Sequence, residues 1–317
     1  MTKTPAPDKI IPYLSSLLYT PWKHSFVTMS AVIQVSHDKL SRLISTKYSW
    51  NQIFLYVLTR IGFQKGYVAI DDTEIVKMFA LNIPRLSWLH SHSEGRYIFG
   101  LNLVVAVWTN GKRTIPIAFK LYIPGSGVTK IDLACELICH CISIGLKPEA
   151  YLFDAFYSAE KVLKLLIQHG QNYASQVAKS RLLDGVAVKN IKKGRPYWHK
   201  IGNLRGNIRV KVIKVRRKYF ICSKLGDARK KILSAYRLRW RIEEVFRFSK
   251  SELGMERCQS TNLQTQINHF GSCLLLYGLL QDIAVKKRMT VYRIKTHATF
   301  ERDFGVCITK MLYARLA

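Results

Sequence analysis

The segment GRYIFGLNLVVAVWTNGKRTIPIAFKLYI, residues 95–123, contains two long β-type runs joined at Asn110-Gly111. Asn-Gly between two apolar runs is a strong hairpin signal, because both residues tolerate the positive φ of a tight turn. A shorter β-type run, YVAID, precedes them at residues 67–71. The segment therefore predicts three strands that pair antiparallel.

The chain downstream of this hairpin changes its periodicity. KIDLACELICHCISIG (130–145) and SAEKVLKLLIQHG (158–170) carry apolar residues at helical spacing. EAYLFD (149–154) and QNYASQVA (171–178) are typical of short buried strands. Three strands followed by helix, strand, helix and strand predict an α/β fold, a mixed sheet flanked by helices.

Composition and charge narrow the class of protein. The chain has 317 residues, 48% of them hydrophobic, which provides a buried core and excludes a disordered protein. Lys and Arg number 50 and Asp and Glu 20, a formal net charge of +30. Such a basic chain is expected to bind a polyanion, most often nucleic acid, although a ribosomal or heparin-binding surface would also fit. Lys179 to Lys250 holds 23 basic and four acidic residues, and so carries +19 of this charge.

The cysteines and the apolar runs indicate the compartment. The seven cysteines are odd in number and lack paired spacing, which favours a reducing compartment over a disulfide framework. Cys135, Cys139, His140 and Cys141 lie in one amphipathic helix without a second ligand pair, so we interpret them as core residues. The sequence shows neither a signal peptide nor an apolar run of membrane-spanning length. We therefore expect a cytoplasmic protein without a membrane partner.

Changes in composition predict five segments. Residues 1–62 form a helical N-terminal region with possible DNA contacts, and 63–178 form the first part of the α/β core. Residues 179–226 are a basic β-rich insertion. Residues 227–290 complete the core and begin with a long helix over about 228–252. Residues 291–317 carry no clear signal, and their role is unknown from sequence.

Carboxylates are scarce in this chain, so their positions are informative. Asp71 ends the run YVAID and Asp72 follows it, whereas Asp154 ends the run YLFD. Side chains at the carboxyl ends of neighbouring strands can converge, which would bring two Asp residues together. An ordinary role as a turn former or helix cap is also open for each, and for Asp154 considered alone it is the favoured interpretation.

A third acid lies in the helix predicted from residue 236. Four side chains of that helix fall within an arc of roughly 60° on a helical wheel, separate from its apolar stripe. These four are Tyr236, Arg239, Glu243 and Lys250. A solvated helix with Arg239–Glu243–Arg247 ion pairs is the alternative. If Glu243 instead meets the two Asp residues, the three carboxylates could hold two Mg²⁺ or Mn²⁺ ions for phosphodiester chemistry.

The spacing within YRLRWRIEEVFRFSK, residues 236–250, resembles that of the bacterial insertion-sequence DDE transposases marked by a Tyr-Arg-Glu-Lys signature. IDDTEI resembles the region of the first Asp in that family, and YLFDAFYS resembles the region of the second. The phase of IDDTEI selects Asp71, with Asp72 as the alternative first acid. The resemblance covers about residues 66–285.

The resemblance implies an RNase H-like catalytic core with a β-rich insertion before the Glu-bearing helix. It implies that Asp71, Asp154 and Glu243 are the catalytic, metal-binding acids and that Tyr236, Arg239 and Lys250 hold DNA phosphates. Arg247 and Trp198 are further candidate DNA contacts. For Trp198, core packing is the favoured alternative to stacking on a flipped base, and Tyr197 is a second candidate for such stacking.

The implied activity is metal-dependent cleavage at the terminal inverted repeats of a transposon, followed by attack of the freed 3′-OH on target DNA. The implied partners are double-stranded DNA, both transposon ends and target, and a second copy of the chain in a homodimer on DNA, associated with the bacterial nucleoid. Two alternatives are a DNA-binding protein without catalysis, such as a decayed transposase, and an RNase H-like structure-directed nuclease.

Overall fold

A nine-stranded mixed sheet forms the centre of the computed structural model, which describes residues 7–21, 25–63, 65–78, 80, 82–91, 94–191 and 197–316. Its strand order is β2-β3-β1-β5-β6-β11-β10-β9, with β4 also paired to β3. A separate small ribbon pairs β7 with β8. The strands are β1 Tyr67–Val76, β2 Ser87–Ser91, β3 Arg96–Thr109, β4 Thr114–Tyr122, β5 Tyr151–Phe153, β6 Tyr173–Val177, β7 Leu182–Leu183, β8 Val186–Ala187, β9 Tyr197–Leu204, β10 Ile208–Val215 and β11 Lys218–Cys222.

Helices cover both faces of this sheet, as the predicted α/β class requires. Four of them precede β1, two lie between the strands β4, β5 and β6, and five follow β11. They are α1 Ile11–Tyr19, α2 Phe26–Ile33, α3 His37–Ser45, α4 Trp50–Ile61, α5 Lys130–Ser143, α6 Glu160–Gln168, α7 Arg229–Arg237, α8 Trp240–Ser251, α9 Leu263–Lys287, α10 Val291–Phe300 and α11 Arg302–Leu316. None of the helices in the described ranges is long and apolar enough to cross a membrane.

The β3–β4 hairpin confirms the prediction made from Asn110-Gly111. β3 and β4 pair antiparallel from Thr109↔Thr114 onward, and Gly111 has a φ of 85°. The side chain of Asn110 closes the turn by accepting hydrogen bonds from the backbone N–H groups of Lys112 and Arg113 at 3.0 and 2.8 Å. In this turn Gly111 takes the positive φ, whereas Asn110 contributes a side-chain acceptor.

β1 is longer than the sequence suggested, because it pairs antiparallel with β3 over its whole length, from Tyr67↔Thr109 to Val76↔Gly100. The prediction that Asp71 closes this strand was wrong, since five more residues follow it in β1. On its other edge β1 pairs parallel with β5 at Ala69↔Leu152. β5 ends at Phe153, so Asp71 lies where the parallel pair ends although its own strand continues.

Two apolar clusters pack on the two faces of the sheet. Alternate residues of β1 and β3 belong to different clusters, as the period of two in a strand requires. We call the side that packs against α8 and α9 the α9 face, and the side that packs against α5 and α6 the α5 face. Leu103 and Val105 lie on the α9 face, whereas Val104 and Ala106 lie on the α5 face.

The β-rich segment before the Glu-bearing helix extends the central sheet. β11 pairs antiparallel with β6 from Tyr219↔Val177 to Cys222↔Ala174, and β10 and β9 follow as the outer strands. Of the 179–226 segment predicted to be β-rich, residues 192–196 lie outside the described residues. The strands confirm the predicted β-rich character, and they add to the sheet on the side away from β1.

Residues 291–316, in the segment that carried no clear sequence signal, form α10 and α11 and pack on the N-terminal helices. Lys295 of α10 is buried, and its Nζ donates to the backbone carbonyls of Leu18 and Thr20 at 2.8 Å each. Burial lowers the pKa of Lys295 to about 8. The ammonium group therefore fastens the C-terminal helices to the end of α1.

A close approach between α4 and α9 can be tested at Gly271. A Cβ added there would lie 2.3 Å from the ring of Trp50, whose Nε1 donates to Asn268 at 3.0 Å. We expect Gly271→Ala to lower the free energy of unfolding by about 1–3 kcal/mol, because overpacking outweighs the gain in helix propensity. Urea denaturation followed by circular dichroism measures this change. Gly226→Ala, which meets no atom within 4 Å, is the control; a Gly271→Ala protein at least as stable as the parent would contradict the close approach.

Candidate active site

Asp71 and Asp154 stand at the same level of two adjacent parallel strands. Ala69 pairs with Leu152, and each Asp lies two residues further along its own strand direction. Residues two apart in a strand point to the same face, so Asp71 follows Ala69 onto the α9 face. Asp154 comes directly after β5, and its charge contributes to raising the pKa of Asp71. The structure thus brings together the two Asp residues expected from their strand positions.

Asp72 points to the opposite face of β1. Its carboxylate accepts hydrogen bonds from Asn102 Nδ2 at 2.8 Å, Lys130 Nζ at 2.6 Å and Tyr157 Oη at 2.7 Å. These partners belong to β3, to the start of α5 and to the loop after β5. Of the two alternatives for the first acid, Asp71 is therefore the one that shares a face with α8.

The helix predicted over 228–252 is in fact two helices, α7 and α8, separated at Leu238 and Arg239. The backbone N–H groups of Leu238, Arg239, Arg241 and Ile242 each bond to the carbonyl three residues earlier at 3.0–3.1 Å. This tighter hydrogen-bond pattern replaces a turn of α-helix, so the single helical wheel drawn through Tyr236 was wrong. Glu243 nevertheless lies in the first turn of α8, on the side toward β1.

Arg239 joins Glu243 to Asp71. Its Nη1 donates to Asp71 Oδ2, and its Nη2 lies 3.4 Å from Glu243 Oε1. The side chains of Asp71, Arg239 and Glu243 are 13%, 15% and 34% exposed. The third predicted acid thus reaches the site through a guanidinium group that contacts both carboxylates.

The electrostatics of Asp71 reflect this crowding of acids. Burial raises the pKa of the Asp71 carboxyl to about 8, with further increases from the charges of Asp154 and Glu243, although Arg239 opposes the shift. Since like charges destabilise one another in a partly buried site, the three acids form a site that favours a bound cation.

Asp154 also has the ordinary role that was weighed for it. Its Oδ1 accepts from the backbone N–H groups of Phe156 and Tyr157 at 2.9 and 3.2 Å. It does not cap α6, whose N-cap residue is Ala159. Asp154 therefore closes the turn after β5, and this turn fixes where its carboxylate lies relative to Asp71.

The predicted phosphate-binding residues do not all surround the acids. Tyr236 is half-buried, its ring packs edge-to-face on Phe220, and burial raises its pKa while a hydrogen bond with Arg239 lowers it. Lys250 lies at the far end of α8, where its Nζ is 3.3 Å from Glu256 Oε1. The same Oε1 accepts from the backbone of Val76, the last residue of β1. Tyr236 and Arg239 thus adjoin the acids, and Lys250 lies at the other end of α8 from Glu243.

Arg247 and Trp198 lie elsewhere. Arg247 is exposed and interacts with Tyr292 of α10. Of the Arg239–Glu243–Arg247 series weighed as the alternative, only the first pair is among the described ion pairs. Trp198 is 7% exposed and packs on Tyr219 at 6.2 Å between ring centroids. The indole is buried because β9 turns it into the α5-face core, which is the packing favoured for Trp198 from the sequence, and its role as a DNA contact stays a prediction. Tyr197 on the same strand is exposed instead.

The donor set fits divalent cations by its chemistry. Carboxylate oxygens are the ligands that Mg²⁺ and Mn²⁺ prefer, and the three candidate residues offer only carboxylates. As the described side chains stand, no group of three or more His, Cys, Asp or Glu is gathered closely enough to hold a metal ion. The guanidinium of Arg239, which contacts two of the acids, supplies positive charge there instead. A cation at Asp71 and Glu243 would compete with this guanidinium for the same carboxylate oxygens.

A family model described as "Transposase DDE domain" matches residues 63–279. The chain belongs to the DDE transposase family. It is accordingly a transposase, an enzyme that cleaves DNA and transposes it, and members of this family use divalent metal ions. The match spans β1 to most of α9, and so includes all three candidate acids.

Comparison with solved structures supports the same fold. The transposase is similar to the piggyBac transposase in a cryo-EM synaptic complex with hairpin DNA, at a TM-score of 0.57 and 12% identity, covering 98% of this chain and 72% of that one. The NurA nuclease from Sulfolobus solfataricus also matches, at a TM-score of 0.30 and 12% identity over 56% of this chain and 73% of that one, too low to support an argument. No curated protein matches the sequence.

Some residues that shape this site carried no sequence signal. Asn102 and Tyr157 contact Asp72, but Asn102 lies in no motif, and in YLFDAFYS only Asp154 was singled out. Lys130 is one cation among 50 in the chain, so its pairing with Asp72 could not be selected from the sequence. The one available signal was the alternation of side chains along β1, which places Asp72 on the face opposite to Asp71.

The role of Arg239 as counter-charge can be tested with Arg239→Gln. Without its guanidinium the acids repel one another, so we expect a loss of about 1–3 kcal/mol in the free energy of unfolding in EDTA. Added Mg²⁺ should restore more stability to Arg239→Gln than it adds to the parent transposase. Thermal unfolding with EDTA or MgCl₂ measures both.

Arg241→Gln is the matched control, because Arg241 lies on the other side of α8 with Glu244 and the Gly111 carbonyl. Its thermal shift with Mg²⁺ should equal that of the parent. Equal Mg²⁺ shifts in all three proteins would contradict the assignment of Arg239 as counter-charge.

Proposed function

We propose that Asp71, Asp154 and Glu243 are the metal-binding acids with which this transposase cuts the ends of an insertion sequence and joins them to target DNA. The observation that carries this proposal is that three acids, from β1, the end of β5 and α8, all lie near enough to the Arg239 guanidinium for their charges to act on it. Arg239 contacts two of them and the charge of the third acts on Asp71. Acids so distant in sequence, gathered in a chain with a net charge of +30, are suited to phosphodiester chemistry.

We propose Mg²⁺ or Mn²⁺ as the cofactor, bound as two ions. When bound, such ions activate a water or a 3′-hydroxyl for attack and stabilise the leaving 3′-oxygen. Asp71 would hold them from β1 and Asp154 from the turn directly after β5, side by side because β1 and β5 are paired just before both residues. Glu243 would complete the site from the first turn of α8.

We propose that Arg239 also binds a DNA phosphate. Once cations replace it at the carboxylates, its guanidinium is available to a phosphate, for which its planar fork of donors is suited. Tyr236 adjoins Arg239 and would support it there. Lys250, seven residues beyond Glu243, would contact a more distant phosphate.

The DNA partner is supported by the distribution of exposed cations. The first turn of α7 presents Arg229 and Lys230 to solvent, and β10 presents Arg209. These lie in the 179–250 segment, whose charge is +19. We propose that this surface carries the transposon end, and that two chains act together as a homodimer on a pair of ends. The structural neighbour in its synaptic complex with hairpin DNA is consistent with such an assembly.

The signature residues support a finer assignment. Tyr236, Arg239, Glu243 and Lys250 keep the spacing of two, three and six intervening residues that marks one group of bacterial insertion-sequence transposases. We therefore propose that the natural substrate has terminal inverted repeats and that strand transfer produces short direct duplications of the target. Sequencing of the DNA that flanks the coding region tests this assignment without protein.

Glu243→Gln tests the proposed acid set directly. We expect metal-dependent cleavage of a supercoiled plasmid carrying the element's ends to fall by at least about 10³-fold, because a metal ligand that acts in the transition state is lost. Binding of the same ends should stay within about twofold in a gel-shift assay at fixed salt. Gel electrophoresis of the nicked and linear products measures the cleavage rate.

Glu244→Gln is the control for that experiment. Glu244 neighbours Glu243 in α8 but accepts from Arg241 Nη1 at 2.7 Å, away from Asp71. Its cleavage rate should stay within a few-fold of the parent. Cleavage at the parental rate by Glu243→Gln would refute the assignment.

The proposed DNA surface predicts a change in salt dependence. Replacement of both Arg229 and Lys230 by Ala should weaken end binding and reduce the slope of log K against log salt by roughly 2, about 0.9 for each lost phosphate contact. Fluorescence anisotropy over a range of NaCl concentrations measures the slope. The double variant Arg302→Ala/Lys310→Ala, at exposed cations of α11, should leave it unchanged, and equal slopes in both double variants would contradict the assignment.

A further inference from the structure

The Asp72 carboxylate has three hydrogen-bond partners, and Asp72 has no role in the proposed chemistry. It is 19% exposed in its side chain and lies on the α5 face, the face away from Glu243. Its partners come from three separate elements, and two of them, Asn102 and Tyr157, are each 1% exposed. A partly buried carboxylate with this many donors is held in one place, and it holds its partners in turn.

One of these partners leads directly to Asp154. The hydroxyl of Tyr157 donates to Asp72 Oδ1 at 2.7 Å, and the backbone N–H of the same Tyr157 donates to Asp154 Oδ1 at 3.2 Å. Asp72 is thus linked through one residue to a carboxylate on the other side of the strand.

The other end of the link is covalent. Asp72 directly follows Asp71 in β1, and the backbone N–H of Asp72 donates to Asp71 Oδ1 at 3.0 Å. One short path therefore runs from the Asp71 carboxylate through Asp72 and Tyr157 to the Asp154 carboxylate. Strand pairing alone does not provide this link, because β5 ends at Phe153 and the loop that follows has left the sheet.

We propose that Asp72, acting through Tyr157, is a positioning residue that sets the separation between the carboxylates of Asp71 and Asp154. Lys130 and Asn102 fix the Asp72 carboxylate from the side of α5 and β3. The Tyr157 hydroxyl then anchors the turn that orients Asp154. Asp72 touches neither metal nor DNA in this role. The inference rests on the proposed function, because the separation matters only if both acids bind the same ions.

Tyr157→Phe removes one hydroxyl and keeps the buried ring. We expect the single-turnover rate of end cleavage to fall by about 10–100-fold, the usual cost of losing a residue that orients a metal ligand. The Mg²⁺ concentration for half-maximal rate should rise several-fold, because the two acids no longer hold their spacing. End binding in a gel-shift assay should stay within about twofold, since no DNA contact is lost.

Two tyrosines offer matched controls. Tyr151 of β5 and Tyr173 of β6 are buried, and neither hydroxyl has a hydrogen-bond partner among the described atoms. Tyr151→Phe and Tyr173→Phe remove the same group from the same core and should leave the Mg²⁺ dependence unchanged. If all three variants shift the Mg²⁺ dependence equally, the effect is a general one on the core and the proposal is wrong.

Asp72→Asn provides a second test that does not depend on the fold of the Tyr157 variant. As a positioning residue, Asp72→Asn should cleave slowly but measurably, with a raised Mg²⁺ requirement. Asp71→Asn should show no measurable cleavage at any Mg²⁺ or Mn²⁺ concentration. Undetectable cleavage by Asp72→Asn together with activity in Asp71→Asn would overturn the proposal and make Asp72 the first acid.

The outcomes separate this inference from the proposed function. Loss of cleavage in Glu243→Gln and Asp71→Asn, with a parental rate and Mg²⁺ dependence in Tyr157→Phe, would sink the positioning role and leave the acid set intact. Cleavage at the parental rate by Glu243→Gln would refute the proposed function, whatever the result with Tyr157→Phe.

Discussion

The alternation of side chains along β1 is the constraint on which the site depends. A strand sends consecutive residues to opposite faces, so Asp71 and Asp72 cannot share a task although both are Asp. Pairing with β3 over ten residues holds this register, and a shift of one residue would exchange the two carboxylates. One strand therefore delivers one acid to the α9 face, where α8 meets it, and another to the α5 face, where Tyr157, Lys130 and Asn102 meet it.

The site also requires that the negative charges of its acids be neutralised. A chain with 20 acids among 317 residues brings three of them to one place, and burial makes their mutual repulsion costly. Arg239 offsets that cost in the structure by contacting both Asp71 and Glu243. The signature Arg can thus serve two partners in turn, the carboxylates and, in the proposed reaction, a DNA phosphate. Arg suits this position because its planar fork offers separate N–H donors to the two carboxylates.

Much of the fold could be predicted from periodicity, and parts could not be. Asn110-Gly111 identified the β3–β4 hairpin because its turn chemistry is local, and the helix and strand periods of residues 130–178 identified α5, β5, α6 and β6. The extent of β1 was missed because pairing with β3 is a long-range contact. The break at Leu238 was missed because all of its residues tolerate a helix, and only the tighter hydrogen bonds reveal it. Trp198 illustrates a similar limit, since an aromatic in a basic segment has the same sequence context whether it is buried or exposed.

The attachment of β11 to β6 has a mechanical consequence. β9, β10 and β11 continue the sheet that carries Asp71. A force on β9 is therefore transmitted to β1 through the backbone hydrogen bonds between paired strands. Four strand spacings of about 4.8 Å separate β9 from β5, roughly 19 Å, which equals the rise of five to six base pairs. The distance from the acids to the outer strand is thus set by strand pairing, and one strand more or fewer would change it by about 4.8 Å.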